Sequence, residues 1–476
     1  MKKLLIFVGL LSLLSFMSCD NEPVAAKNET SRNSGANEKL RSIEEAIDIA
    51  NSSASLFFGS ETSRGYSPRK AGEVKVIRGK WSRSTDSDTL LYIINYEDSA
   101  GFAVIAADRS IEPLFAVTES GFYDGTETGC EGFDLYMDLA LEFVRVDTLI
   151  PRVPGHGGDK PVPPSGGNTR DTTGLITVYP GGEGGGNTPQ PNPGGTPYQT
   201  RETDQVTWIV NQKAKITNRW SQEDVEEHYL GDYWGIYCKN KTVGCGPLAA
   251  AMVMSYYERP TQFSGSYYEE YRNGQSQGMK VQEFSVDWSL IKRHNVRKDL
   301  YNMCGCYDGT TTHNMIARLG RHIGFIARAN YKFGNPNTTG VTMDNLRNAM
   351  IHYGFNCEKT ADYKGEKLEN IGTGVAIIGG DDYSKGHAWV LDGVKRYRTV
   401  HTVYYREKDS DPWKVMSRNS SLLHFNHFNW GWGYAYVGWF NDNVFQGNLC
   451  SDPDQSSNMS GNASNYNHNV KFFIIR

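Results

Sequence analysis

Of the side chains that could do chemistry, one cysteine stands in the most suggestive context: Lys241-Thr-Val-Gly-Cys245-Gly-Pro-Leu-Ala-Ala-Ala-Met-Val-Met-Ser-Tyr-Tyr257. From Pro247 onward the alanines, Leu248 and the methionines favour a helix, with Arg259-Pro260 as its stop. Proline is tolerated in a first helical turn, where its missing N–H costs nothing. Cys245 is therefore expected just ahead of a helix, where the macrodipole and unpaired N–H groups favour a thiolate. A cysteine beside an apolar helix is also a common inert core residue, so the thiol needs partners before it can be read as a nucleophile.

A thiolate nucleophile needs a base and a group that orients the base, and neither need be near in sequence. Among 11 histidines, His387 leads a short apolar strand, Gly386-His-Ala-Trp-Val-Leu-Asp-Gly393, after the glycine-rich run from Ile378. Further strands are expected from Thr399 to Tyr405 and from Ser421 to Asn429, the latter flowing into Asn429-Trp430-Gly431-Trp432-Gly433. Cysteine, histidine and asparagine in that chain order, the last two on neighbouring strands, form the constellation of papain-like enzymes, in which the asparagine sets the imidazole tautomer.

Rival constellations are weaker. Cys304-Gly-Cys306 with His313 lacks a second pair at metal-ligand spacing and reads as a disulfide or a loop feature. His424 and His427 flank Asn426 and point to opposite faces of a strand. Asp381-Asp382 reads as a solvated turn and Glu226-Glu227-His228 as an exposed helix face. The sequence carries no H-E-x-x-H, G-x-S-x-G or P-loop pattern. No metal and no cofactor is expected.

The residues that carry this chemistry resemble one family. TVGCGPLAAAMVMSYYERP looks like the active-site helix of streptopain-family cysteine peptidases, which have a papain-like fold. GHAWVLDG followed by HFNWGWG is similar to that family's histidine strand and NWGWGG signature. Trp220-Ser-Gln222 resembles its W-x-Q element, and Ala317 to Tyr331 resembles its central helix and tyrosine segment. The resemblance covers residues 205 to 445. It implies Cys245 as nucleophile, His387 as general base, and Gln222 with the Cys245 N–H as the oxyanion hole. The third role falls to Asn429 or to Trp430, which could cover or position the imidazole. The chain departs from the family at Gly246-Pro247, where a small aliphatic-Ala pair is usual, and at Tyr434, where the signature ends in glycine. The proline removes a donor near the oxyanion site, which keeps open a non-enzymatic alternative: a surface lipoprotein whose papain-like domain serves binding or adhesion.

The remaining elements must position and deliver this domain. Net charge is −5, from 49 basic and 54 acidic side chains, too mild to argue for a nucleic-acid partner. Met1-Lys2-Lys3 and the apolar run Leu4 to Met17 fit a signal peptide, and Ser18 before Cys19 resembles a lipobox, with Cys19 as the lipidated residue. An exported protein, lipid-anchored at a bacterial outer membrane or cell surface, is expected. Ten of the 18 prolines and thirteen of the 50 glycines fall between Pro151 and Pro197, which reads as a linker. The expected organisation is therefore a signal at 1–18, a polar tether at 19–37, a first body at 38–150, a linker at 151–200 and a second body at 201–476.

The first body reads as a helix from Leu40 to about Ser52, a meander of β-rich runs at Val74, Leu90–Tyr96 and Phe102–Asp108, and an amphipathic helix from Asp134 to Val144. It has no histidine, and Cys130 has no evident catalytic partner. It looks like the inhibitory pro-domain of the same family, although a separate inhibitor of other peptidases would carry the same features. The fold class expected is α+β, a papain-like domain preceded by a small α+β pro-domain. The function expected is a monomeric thiol endopeptidase made as a zymogen, acting on protein or peptide substrates and inhibited by its own pro-body. Of the eight cysteines, Cys19 and Cys245 are reserved for lipid and catalysis; full pairing of Cys130, Cys238, Cys304, Cys306, Cys357 and Cys450 is not expected.

Overall fold

The computed structural model describes residues 39–59, 69–79, 89–149, 199–221, 243–272, 275–281, 283–293, 312–332, 338–363, 365–368, 371–381, 386–406, 408, 410–445 and 470–476. Cys19, Gln222, Cys238, Cys304, Cys306, Cys450 and the linker at 151–198 lie outside these residues. Residues 38–476 form one compact unit.

The first body opens with α1 (Ile43–Phe58), capped by the Ser42 hydroxyl on the Glu45 N–H. Its buried residues Ala46, Ile49, Ala50, Ser53, Ala54 and Phe57 recur at three and four, which is why this stretch coils. Strands β1 (Ala71–Arg78), β2 (Thr89–Tyr96), β3 (Phe102–Ala106) and β4 (Leu114–Thr118) form the expected antiparallel meander. The fourth strand is short and fully buried, and alternation could not mark it. Gly101, at a φ of +99°, turns the chain from β2 into β3. Helix α2 (Glu131–Leu149) closes the body, starting three residues before the expected Asp134.

The second body begins with β5 (Gln199–Gln212), two residues earlier than expected; Arg201 lies in it opposite Tyr404, with its guanidinium over the Tyr404 and Trp413 rings. Its helical half contains α3 (Cys245–Tyr257), a small sheet of β6 (Ser266–Arg272), β7 (Gln275–Val281), β8 (Asn330–Lys332) and β9 (Thr338–Gly340), and helices α4 (Thr312–Ile326) and α5 (Met343–His352). The β half contains β10 (Ala361–Asp362), β11 (Val375–Asp381), β12 (Gly386–Arg406), β13 (Lys414–Asn429), β14 (Gly438–Asn441) and β15 (Lys471–Ile475). The runs expected as separate strands at His387 and Thr399 are one 21-residue strand, β12, flanked by β11 and β13 at one end and by β5 and β13 at the other.

The chain is α+β, as expected, but its two bodies share one sheet. The strand order is β1-β2-β3-β4-β14-β13-β12-β11-β15-β10, with β5 on β12; the bodies join where β4 pairs antiparallel with β14. The apolar cores are shared too. Phe102, Phe133 and Tyr136 of the first body pack in one cluster with Trp389, Phe428, Trp430 and Phe440 of the second. Phe57 packs with Tyr397, Phe425 and Trp439 in another. Among the described residues no helix is long and apolar enough to cross a membrane.

Candidate active site

Cys245 is the first residue of α3, one position deeper than expected, and half-buried. Gly244 leads into the helix at a φ of +89°, a conformation that favours glycine. Every residue from Gly246 to Ser255 is buried, so α3 runs through the core and is apolar on all sides. Gly246 has a packing reason: a Cβ there would lie 2.3 Å from Val341 Cγ1. The first departure from the family's usual pair is therefore imposed by the neighbour at Val341. Pro247 sits in the first helical turn, where it sacrifices no intrahelical bond.

His387 is buried on β12, opposite Gly380 of β11, with its ring stacked on Trp389 at 6.3 Å. Its Nε2 lies 2.8 Å from the Trp430 carbonyl oxygen and its Nδ1 3.3 Å from Glu131 Oε2. Both partners are acceptors, so both ring nitrogens donate and the imidazole is protonated in this arrangement. Burial alone would lower the His387 pKa, but the charge and hydrogen bond of Cys245, the Glu131 carboxylate and the Trp430 carbonyl carry it up to about 10. The thiol responds in the opposite sense: burial raises its pKa, and the charge and hydrogen bond of His387 outweigh that and lower it. Each side chain thus favours the charged form of the other, thiolate on Cys245 and imidazolium on His387, the direction a cysteine nucleophile requires.

Of the two residues expected for the third role, Asn429 bonds the main chain around it. Its amide is fully buried; Nδ2 donates to the Asn218 carbonyl at 2.8 Å and Oδ1 accepts from the Gly431 N–H at 3.1 Å. It braces the turn after β13 and the segment that leads to Gln222, while the neighbouring Trp430 carbonyl accepts the hydrogen bond of His387 Nε2–H. The Trp430 ring is buried against Trp389 at 5.1 Å, with Nε1 bonded to the Tyr436 carbonyl at 3.0 Å. The segment carrying Trp220 and Ser221 is held alongside, with the Gly433 N–H on the Trp220 carbonyl at 3.2 Å and Ser221 bridged to Trp432. Gln222 follows directly, outside the described residues.

The first body reaches into this site through the start of α2. Besides the Glu131 contact, Gly132 is so close that a Cβ on it would lie 2.5 Å from His387 Cδ2 and 2.7 Å from Trp430 Cε3. Nothing in the sequence marks Glu131 or Gly132, since an acidic residue in a first helical turn is ordinary. His427, noted only for its spacing, is a second buried imidazole: Nδ1 meets Asp392 at 2.6 Å and Nε2 meets Glu119 of the first body at 3.0 Å. His424 is partly exposed, on the opposite face as expected. Cys130 and Cys357 are buried free thiols whose pKa burial raises, that of Cys357 to about 11, which makes them poor nucleophiles. Among the described residues no cluster suits a metal ion.

Residues 220–440 match the model of the Peptidase C10 family. Among solved structures, a fragment of prointerpain A from Prevotella intermedia is 18% identical, with a TM-score of 0.46 over 85% of this chain and 98% of its own. Active wild-type interpain A cysteine protease from the same organism is 20% identical, with a TM-score of 0.32 over 56% of this chain and 95% of its own. No curated protein matches the chain. The matched segment contains Cys245, His387, Asn429 and Trp430; the chain is a cysteine-type peptidase.

Proposed function

We propose that this chain is an exported thiol endopeptidase, made as a zymogen and hydrolysing peptide bonds through an acyl-enzyme on Cys245. The thiolate attacks the scissile carbonyl carbon, and the oxyanion that forms is held by the Cys245 N–H at the start of α3 and by the Gln222 amide. His387 gives its proton to the leaving amine as the tetrahedral adduct collapses to the thioester. The neutral imidazole then takes a proton from water, whose oxygen attacks the thioester, and the proton returns to the departing sulfur. The Trp430 carbonyl fixes the ring plane throughout, and Asn429 acts by bracing the turn that carries that carbonyl.

The observation that carries the latent state is the start of α2. A carboxylate on His387 Nδ1, and a glycine with no room for a Cβ over His387 and Trp430, occupy space that a substrate would need. The glycine- and proline-rich stretch with Arg152, Lys160 and Arg170 is suited to cleavage, and the run ending Ser18-Cys19 supports export with a lipid on Cys19. Full-length chain carrying Cys245→Ala is expected to fold, remain unprocessed and leave casein intact, while the wild type matures to a shorter form. Processing of the alanine variant at the wild-type rate would exclude Cys245 as nucleophile.

A further inference from the structure

The seam between the two bodies carries chemistry that the Cys245–His387 pair does not use. β4 lies on β14 with Thr118 opposite Gly438, Val117 opposite Trp439 and Ala116 opposite Phe440. The Glu119 N–H extends the ladder by one bond, to the Val437 carbonyl at 2.8 Å. Gly438 permits this approach, since a Cβ there would lie 2.5 Å from both Thr118 Cα and the Val117 carbonyl oxygen. The β14 edge is shaped to accept a strand closely.

Where β4 ends, the Glu119 carboxylate enters a site built by the second body. Oε2 accepts from Arg219 Nη2 at 2.8 Å and Oε1 from His427 Nε2 at 3.0 Å. The two donors are fixed by groups of the second body. Asp392, fully buried, holds His427 Nδ1 through Oδ1 at 2.6 Å, and its Oδ2 is anchored by the Lys215 and Ile216 N–H groups at 2.9 and 2.6 Å. Arg219 is held through Nη1 on the Ile216 and Asn218 carbonyls at 2.7 and 3.2 Å. Departure of the first body would withdraw the carboxylate that both of these buried donors now hold.

We propose that Arg219 and His427 form a preorganised carboxylate receptor, filled by Glu119 in the intact chain and, once the pro-body has left, by an acidic side chain of a polypeptide substrate laid as a strand on the Gly438–Asn441 edge. Main-chain pairing supplies affinity and the receptor supplies selectivity for an acidic residue at one register position. Its use after maturation rests on the zymogen reading; its existence does not.

Two measurements test it. In full-length Cys245→Ala chain, Glu119→Gly empties the receptor while the rest of the seam stays in place. Propionate should raise the melting temperature of that variant, propionamide should not, and adding Arg219→Gln should abolish the rescue. In enzyme matured from the wild-type chain, a labelled peptide of residues 112–120 should bind by fluorescence anisotropy. Glutamine in place of Glu119 should weaken it about 10- to 100-fold, as expected for losing a charge-assisted pair, and Gly438→Val in the enzyme should remove binding. Equal rescue by propionamide, or equal binding of the two peptides, overturns the receptor. Propionate rescue in a chain that never matures would leave the receptor standing and refute the zymogen reading instead.

Discussion

The sharpest consequence of the latent geometry concerns Gly132. Replacing it by alanine adds one methyl group to the second residue of α2, and in isolation that change favours a helix by up to about 1 kcal/mol. In the intact chain the new carbon would lie 2.5 Å from His387 Cδ2 and 2.7 Å from Trp430 Cε3, distances no carbon pair adopts. His387 is held by Trp430 and β11, and Trp430 is wedged among aromatic rings, so relief must come from α2 lifting away. Overpacking of this kind costs about 1–3 kcal/mol. With the helix gain subtracted in full, the closed state should lose up to about 2 kcal/mol, which multiplies the open population by up to roughly 30-fold. Two assays read this. Hydrogen exchange of the first α2 turns, in a Cys245→Ala background to prevent cutting, should accelerate by that factor. The Gly132→Ala chain with Cys245 intact should mature correspondingly faster. Exchange and maturation unchanged, or slowed by the better helix former, would refute the claim that α2 presses on the catalytic pair.

Three further outcomes are expected. His427 is raised from its ordinary 6.5 to about 9 against the opposing effect of burial, by Asp392 and Glu119. A histidine raised by folding stabilises the fold below its unfolded pKa and loses that contribution as pH rises through its folded value, so the Cys245→Ala chain should lose melting temperature between about pH 6.5 and 9. Glu119→Gln should flatten that loss, and an unchanged profile would remove Glu119 from the linkage. Asn429→Ala strands the Asn218 carbonyl and the Gly431 N–H and should destabilise the chain by about 2 kcal/mol or more in urea, while leaving the pH profile of Cys245 alkylation in the folded protein unchanged; a shifted profile would mean that Asn429 acts on the imidazole directly. Gly246→Ala should cost about 1–3 kcal/mol through its clash with Val341. Restoration of full stability by adding Val341→Ala would confirm that contact as the cause.

Cys245 and His387 could be singled out because their signals are local: a cysteine at the start of an alanine-rich helix and a histidine opening an apolar strand each suggest their chemistry within a dozen residues. The α1 helix was legible through its period of 3.6, and three strands of the first body as β-rich runs set off by turns. What escaped is non-local. β4 is five buried residues without alternation, and its partner β14 lies more than three hundred residues away, so no pattern in either announces that the two bodies share a sheet. Glu131, Gly132 and Glu119 are ordinary as sequence and acquire meaning only from His387, Trp430 and His427 across the interface. Chain order and resemblance left the third role between Asn429 and Trp430; the Asn429 amide turns to Asn218 and Gly431, and the main-chain carbonyl of Trp430 faces the imidazole, a contact no side-chain pattern can announce.

The central claim is that Cys245 is an ionised nucleophile covered by the first body until the linker is cut. Titration with a thiol-reactive peptidyl inhibitor, followed by mass mapping at neutral pH, tests it most directly. One equivalent on Cys245 in matured protein, with little on the intact chain and none on the buried Cys130 or Cys357, is the result expected. Equal labelling of intact and matured protein, or label spread over several thiols, would contradict it.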